Sequence, residues 1–139
     1  MAWRRGYAIR PPALPEADPR HPSFDPRYAA LAKGELPATE SLADTLERVM
    51  PYWNGTIAPA VNGGKRVLVA AHGNSIRALV KYLDAIPDDR ITGLEIPTGF
   101  PLVYELDDSL CPVRHYFLGD DEEIRRATES VANQARAGK

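Results

Sequence analysis

Val67-Leu68-Val69-Ala70-Ala71-His72-Gly73-Asn74-Ser75 decides how this chain is read. Five apolar residues in succession, with no polar alternation, read as a strand covered on both faces, the kind found in parallel sheets beneath helices. From Ser75 the period changes. Ile76, Leu79, Val80 and Leu83 fall at helical spacing, with Arg77 and Lys81 on the opposite face. His72 therefore stands where a buried strand ends and a helix begins, with Asn74 or Ser75 available as N-cap. Unpaired amides at that helix start, together with the positive end of its macrodipole, favour a phosphate or carboxylate. His72 sits beside them as a proton-dependent donor. Open α/β sheets bind ligands at such strand ends, so the expected class is α/β.

Outward from this junction the chain is one domain's worth of sequence. Its 139 residues can bury a core but are few for a complete doubly wound enzyme. Seventeen Lys and Arg against 19 Asp and Glu leave a formal net charge of -2, so no global basic field argues for nucleic acid or a membrane surface, and an anion site must be local. Cys111 is the single cysteine, which excludes an intramolecular disulfide and a multi-cysteine metal site and fits a reducing compartment. Met1-Ala2-Trp3-Arg4-Arg5 has no apolar segment behind its charges, so it does not read as a secretory signal, and the apolar runs are too short to span a bilayer. The expected location is the cytoplasm.

Residues 1–38 hold seven of the 13 prolines and little periodic pattern. With Trp3, Tyr7, Phe24, Tyr28 and Leu31 among them, they read as irregular structure packed over the domain, with a short helical turn near Arg27 to Ala32. A helix is expected from Thr39 or Ser41, where Ser41 and Asp44 approximate a capping box and Leu42, Leu46, Val49 and Met50 form a buried stripe. Pro51 should kink or end it, a second piece should run from Tyr52 to Val61, and Asn62-Gly63-Gly64 should turn the chain. Beyond the central helix, Leu102 to Leu106 and Val113 to Leu118 read as an antiparallel hairpin. Asp120 caps a last helix over 120–139, with Asp121, Glu122 and Glu123 in its first turn, Ile124, Val131 and Ala135 on its apolar side, and Arg136 and Lys139 near its end.

Of three histidines, His72 alone has a site-like setting, although a capping or core histidine is equally consistent with its spacing. His21, between Arg20 and Pro22, reads as a surface residue, and His115 as a half-buried, hydrogen-bonded structural one. Gly73-Asn74-Ser75-Ile76-Arg77 also approaches the Gly-x-Ser-x-Gly nucleophile elbow. A serine hydrolase reading would use Ser75, then Asp84, Asp107 or Asp108 as acid and His115 as base. The final glycine is missing, however, and no oxyanion-hole motif lies upstream. Arg4 and Arg5 form a second candidate feature, since paired guanidinium groups bind carboxylate or phosphate in bidentate fashion.

A set of segments gives a sharper reading. Trp3-Arg4-Arg5-Gly6-Tyr7, Asp25-Pro26-Arg27-Tyr28, Leu36-Pro37-Ala38-Thr39-Glu40-Ser41-Leu42, Pro51-Tyr52-Trp53-Asn54, Ala70-Ala71-His72-Gly73-Asn74-Ser75, Ile96-Pro97-Thr98-Gly99, Pro101-Leu102-Val103-Tyr104-Glu105-Leu106-Asp107 and Tyr116-Phe117-Leu118-Gly119-Asp120 occur in this order. Together they resemble the 2,3-bisphosphoglycerate-dependent phosphoglycerate mutases, a branch of the histidine phosphatase superfamily. The resemblance implies an αβα sandwich and an isomerase of glycolysis and gluconeogenesis that interconverts 3- and 2-phosphoglycerate through a phosphohistidine. It implies 2,3-bisphosphoglycerate as phosphoryl donor, phosphoglycerates as ligands, and no metal.

By that resemblance His72 matches the second active-site histidine, which as an imidazolium holds the phosphoryl group in flight. Gly73 and Asn74 match substrate-holding positions, and Arg4 and Arg5 the arginine pair that binds the substrate's anionic groups. Gly6 and Ala8 stand where the family usually has Ser and Asp.

The Arg-His-Gly segment with the family's nucleophile, and the Glu-Arg-His-Tyr-Gly segment with its acid/base glutamate, do not occur in these residues. Residues 1–139 therefore read as a single partial domain, a truncated or split copy lacking the N-terminal strand and helices and inactive alone. A complementary N-terminal half or a homo-oligomer is the expected partner, and a non-catalytic module for phosphorylated small acids is the alternative function. The resemblance places the 67–71 strand beside a strand these residues do not contain, so apolar surface and an open edge should be exposed. The chain alone is expected to be marginally stable or self-associating. A dilute sample that stays monomeric and unfolds cooperatively, with the denaturant slope of its size, contradicts that expectation.

Overall fold

The computed structural model describes residues 6–137. Its order is an irregular segment with short 3-10 turns, helix α1 (Leu42–Tyr52), a π turn (Trp53–Ile57), α2 (Ala58–Asn62), an extended segment, α3 (Gly73–Leu83), strands β1 (Leu102–Leu106) and β2 (Pro112–Phe117), and α4 (Asp121–Ala137). The described residues form a mixed α/β structure of helices with one two-stranded antiparallel sheet.

Helix α1 starts where the sequence places it. The Ser41 hydroxyl accepts from the Asp44 amide at 3.3 Å, and the Asp44 carboxylate accepts from the Ser41 amide at 2.8 Å, a reciprocal capping box. Arg10 clamps the same carboxylate from the irregular segment, at 2.7 Å through Nε and 2.6 Å through Nη2. Leu14 donates its amide to the Ala38 carbonyl, Thr39 donates its hydroxyl to the Pro11 carbonyl, and the Tyr7 carbonyl accepts from the Ala43 amide. The proline-rich segment is thus laid along the entrance of α1. It does not bury all its apolar side chains, since Phe24, Tyr28 and Leu31 are exposed. The expected helical turn near Arg27 is a single 3-10 turn, Pro26–Tyr28, preceded by another at Pro22–Phe24.

Pro51 lies inside α1, whose α-helical run ends one residue later, at Tyr52. A proline leaves the carbonyl four residues earlier without its helical donor, and here the hydrogen bonding lengthens into the π turn Trp53–Ile57, so that the Ala58 amide reaches the Trp53 carbonyl before α2 resumes with Pro59. The shift turns Trp53, Ile57 and Ala58 inward as the buried centre, with Met50, Val61, Leu79, Leu83, Leu106 and Leu110 packed around them. Thr45 is buried at 3 % exposure, a position the apolar stripe omitted; its hydroxyl donates to the Ser41 carbonyl at 3.0 Å and so brings no unpaired polar group into the packing.

Helix α3 packs against α1, with Ala78 and Val80 as its buried residues. The hairpin forms with Tyr104 opposite His115 and an irregularity between Glu105 and Leu106, which carries β1 off the ladder toward the Trp53 cluster. Gly119, at φ +146, lies against Phe100, whose Cδ1 would stand 2.9 Å from an added Cβ, so glycine is required where the chain leaves β2. Asp120 caps α4 by accepting the Glu122 and Glu123 amides at 3.0 and 3.1 Å. Arg125 bridges Glu122 and Glu129 on the exposed face, and Ile124 and Val131 are half-buried as expected. Ala135, Arg136 and Lys139 lie outside the described side chains.

The largest difference from the sequence reading is at 67–71. The run is extended but pairs with no strand among the described residues, and Val67, Leu68 and Val69 are 40, 89 and 40 % exposed. Its apolar character belongs to a covered strand, whereas the elements that would cover it are not among its described neighbours. Periodicity reports what a strand needs, not whether the need is met.

The capping box gives a pH prediction. Arg10 first, and then Ser41, hold the Asp44 carboxyl well below its ordinary range. A depressed folded pKa contributes stability that is whole above the unfolded value, about 3.9, and is lost as pH falls toward the folded one. Urea unfolding between pH 6 and 2 should show this loss below about pH 4, and Asp44→Asn should remove it. At neutral pH, Ser41→Ala should cost about 1 kcal/mol.

Candidate functional site

Asn62, Gly63 and Gly64 turn the chain out of α2, with Gly64 at φ +77, and residues 65–72 then run extended to the start of α3. His72 (φ -62, ψ 145) is the residue that caps α3, not Asn74 or Ser75 as the sequence suggested. Its Nδ1 accepts the Asn74 amide at 3.2 Å, and its carbonyl accepts the Ile76 amide at 3.1 Å. An imidazole nitrogen that accepts carries no proton, so the ring is the neutral tautomer with hydrogen on Nε2. The imidazolium implied by the resemblance would carry a proton on Nδ1 and would have to give up this cap bond.

The capped turn leaves an array of donors. The Gly73 and Ser75 amides have no hydrogen-bond partner among the described residues, and the same holds for the Asn74 side-chain NH2. With His72 Nε2–H these groups occupy the positive end of an eleven-residue helix, where a phosphate or carboxylate is favoured. His72, Gly73 and Asn74 are exposed and Ser75 is half-buried. The structure thus brings together three of the residues singled out for binding. Arg4 and Arg5 lie outside the described residues.

Arg77 and Lys81 do not form the solvated face their spacing suggested. Arg77 Nη2 donates to the Ile91 carbonyl at 3.0 Å, Nη1 approaches Asn74 Oδ1 at 3.5 Å, and Nε is buried with no partner among the described residues. Lys81, with its side chain 11 % exposed, donates to the Ile86 carbonyl at 2.7 Å, pairs with Asp88 at 2.7 Å and lies 4.4 Å over the Tyr7 ring. Both cations therefore tie α3 to the loop that follows it, whose Ile91 and Pro97 are fully buried.

The remaining histidines stand elsewhere. His21 is buried at 7 % exposure and its Nδ1 caps the Pro22–Phe24 turn at Ser23; the surface reading of this residue is corrected. His115 has the structural partners expected of it but is exposed. Its Nδ1 lies 3.4 Å from Asp84, its ring is 4.9 Å from that of Tyr104, and the Tyr104 hydroxyl donates to Asp84 at 2.9 Å.

Asp84 and His115 would be the acid and base of the hydrolase reading. Asp84 caps the C-terminus of α3 while Ser75 lies in its first turn, nine residues away, or about 13 Å along the axis. The serine and the dyad sit at opposite ends of one helix. Asp107 caps the hairpin turn through the Ser109 and Cys111 amides.

A groove at the entrance of α1 is lined by Gly34, Glu35, Pro37, Glu40, Asp44, Glu47 and Arg48. Its four carboxylates against one arginine have the wrong sign for a phosphate, and Arg48 is already engaged by Glu40 at 2.7 Å. Among the described residues, no three or more His, Cys, Asp or Glu side chains converge as a metal ligand set, and no helix is long and apolar enough to cross a membrane.

Residues 14–117 match the family described as histidine phosphatase superfamily (branch 1), and the match takes in α1 to α3, His72 and the hairpin. The chain belongs to this superfamily.

The Asp84 cluster makes its own prediction. Burial first, then the hydrogen bond to Asp84, push the Tyr104 hydroxyl above its ordinary value. Its contribution is whole below the unfolded tyrosine pKa of about 10 and is lost as pH rises toward the folded one. Chemical unfolding should therefore show stability falling above about pH 10, and Tyr104→Phe should flatten that slope while leaving the helical circular dichroism intact.

Proposed function

We propose that this chain carries the phosphoryl-holding half of a phosphoglycerate mutase site of the 2,3-bisphosphoglycerate-dependent kind. The observation that carries the reading is the His72 cap, which leaves Nε2–H, the Gly73 and Ser75 amides and the Asn74 NH2 as donors at one helix terminus. The ordered motifs from Trp3 to Asp120 supply the substrate class, phosphorylated three-carbon acids of the cytoplasm. Arg4 and Arg5 bind the anionic groups remote from the reacting phosphoryl. His72 and Asn74 bind the phosphoryl oxygens, whose charge is best met by fixed donors that need no reorganisation. Because Nδ1 is held by Asn74, His72 serves as a neutral donor here.

These 139 residues contain no Arg-His-Gly triplet, so the nucleophilic histidine and the acid/base glutamate come from outside them. A phosphoryl group from 2,3-bisphosphoglycerate would be loaded on that outside histidine, and the residues present bind and orient what it transfers. The partner is a strand-bearing segment that pairs with 66–71, covers Val67, Leu68 and Val69, and delivers its histidine opposite His72. Binding of phosphorylated acids without turnover is the function of the chain alone.

Titration with 3-phosphoglycerate, followed by amide NMR, should perturb Gly73, Asn74 and Ser75 first. Loss of a charge-assisted hydrogen bond costs about 1.5–3 kcal/mol, so His72→Ala should weaken binding about 10- to 100-fold. Turnover by the purified chain alone would contradict the assignment of the nucleophile to another segment. Stoichiometric fluorophosphonate labelling of Ser75 would restore the hydrolase.

A further inference from the structure

We propose that Arg77 is the positioning residue of this anion site: its guanidinium sets the orientation of the Asn74 carboxamide, so that the NH2 and not the carbonyl is presented beside His72. The inference rests on the phosphoryl-site reading above.

Asn74 and Arg77 are three residues apart on α3, and so share a face of the helix. Nothing in a carboxamide's shape fixes which way it points. Its oxygen and nitrogen ends are nearly the same size, and only the neighbours' hydrogen bonding distinguishes them. Beside an anion the two orientations act oppositely, since NH2 donates to a phosphoryl oxygen and C=O repels it. A guanidinium has donors and no acceptor, so a neighbouring Arg can pair with Oδ1 alone. Arg77 Nη1 stands 3.5 Å from Asn74 Oδ1, which turns the Nδ2 donors away from it.

The arginine is itself held. Nη2 donates at 3.0 Å to the carbonyl of Ile91, a residue with no solvent exposure, so the anchor belongs to the buried part of the 3-10 turn Ile91–Gly93. Nε is buried without a partner among the described residues, an arrangement that generally costs stability. Holding α3 to that turn needs only a single donor, which a lysine carries. A second donor directed from a fixed plane is what a lysine lacks. The two arms thus link a buried backbone anchor to a side chain of the site, and neither arm is offered to the ligand.

Two readouts on the full chain test this, one without ligand. In the ligand-free protein, Arg77→Met should shift the Asn74 side-chain 15N–1H2 resonances, which are assigned by their loss in Asn74→Asp. Arg77→Lys, which keeps a donor for Ile91, should shift them in the same way while preserving the backbone amide spectrum of α3. In binding, with inorganic phosphate and 3-phosphoglycerate as probes, Arg77→Met and Arg77→Lys should each weaken affinity about 10-fold, about 1.4 kcal/mol. Neither should weaken it further in an Asn74→Ala background.

Unmoved Asn74 side-chain resonances overturn the proposal whatever the affinities do. Additive losses in the Asn74→Ala background overturn it as well, because Arg77 would then act directly on the ligand or through the fold. Failure of the wild-type chain to bind either probe, with the resonances still responding, overturns the phosphoryl-site reading and removes the ligand-directed role of Arg77.

Discussion

The hydrogen bond from the Asn74 amide to His72 Nδ1 is the constraint on which the site depends. It does two things with one contact. As a cap it satisfies one of the amides that every helix leaves open at its start, and so helps fix where α3 begins. As an acceptor interaction it decides the imidazole tautomer, placing the proton on Nε2, the ring atom free to meet a ligand. One contact thus both caps the helix and leaves Nε2 as the ring nitrogen without a partner among the described residues. The histidine is held by the helix it caps, and being held makes it a defined donor.

Everything nearby serves to keep that helix end in place. The π turn after Pro51 rotates Trp53, Ile57 and Ala58 into the packing that receives Leu79 and Leu83 of α3. Lys81 and Arg77, two cations drawn off the solvated face, tie the helix to the loop around Ile86 to Ile91. At the far end, Asp84 holds Tyr104 and faces His115, joining α3 to the hairpin. The approach from the other side is different in kind. Residues 65–72 reach His72 as an exposed extended run that pairs with no strand among the described residues. Among the described residues, one side of the site is braced by packing and ion pairs, and the other is a run with no paired strand.

What the sequence made legible was what depends on near neighbours. The Ser41 and Asp44 box, the stripe Ile76, Leu79 and Val80 and the Asp120 cap are set by contacts a few residues apart, and the hairpin from Leu102 by two strands consecutive in sequence; all are found. Readings went astray where a distant partner or an atypical residue decided the outcome. The spacing of His72 allows a cap or a ligand-facing residue, and Asn74 and Ser75 are the more usual capping types, yet His72 Nδ1 is what reaches the Asn74 amide. Helical period places Arg77 and Lys81 opposite the apolar stripe but does not report the loop carbonyls of Ile91 and Ile86 that they bind. His21 reads as exposed among prolines but is buried, with its Nδ1 capping a turn. The 67–71 run was recognised as a strand needing cover, and its pairing, a non-local property, does not occur among the described residues.

The central claim is that the Asn74 cap holds His72 as a neutral imidazole with its proton on Nε2. A long-range 1H–15N correlation spectrum of the ligand-free chain at pH 8 reads this directly. His72 should show an Nε2–H pattern, with 15Nδ1 in the unprotonated range, and that pattern should change when Asn74→Pro removes the amide that Nδ1 accepts. A proton found on Nδ1 of His72 in the unperturbed chain would contradict it.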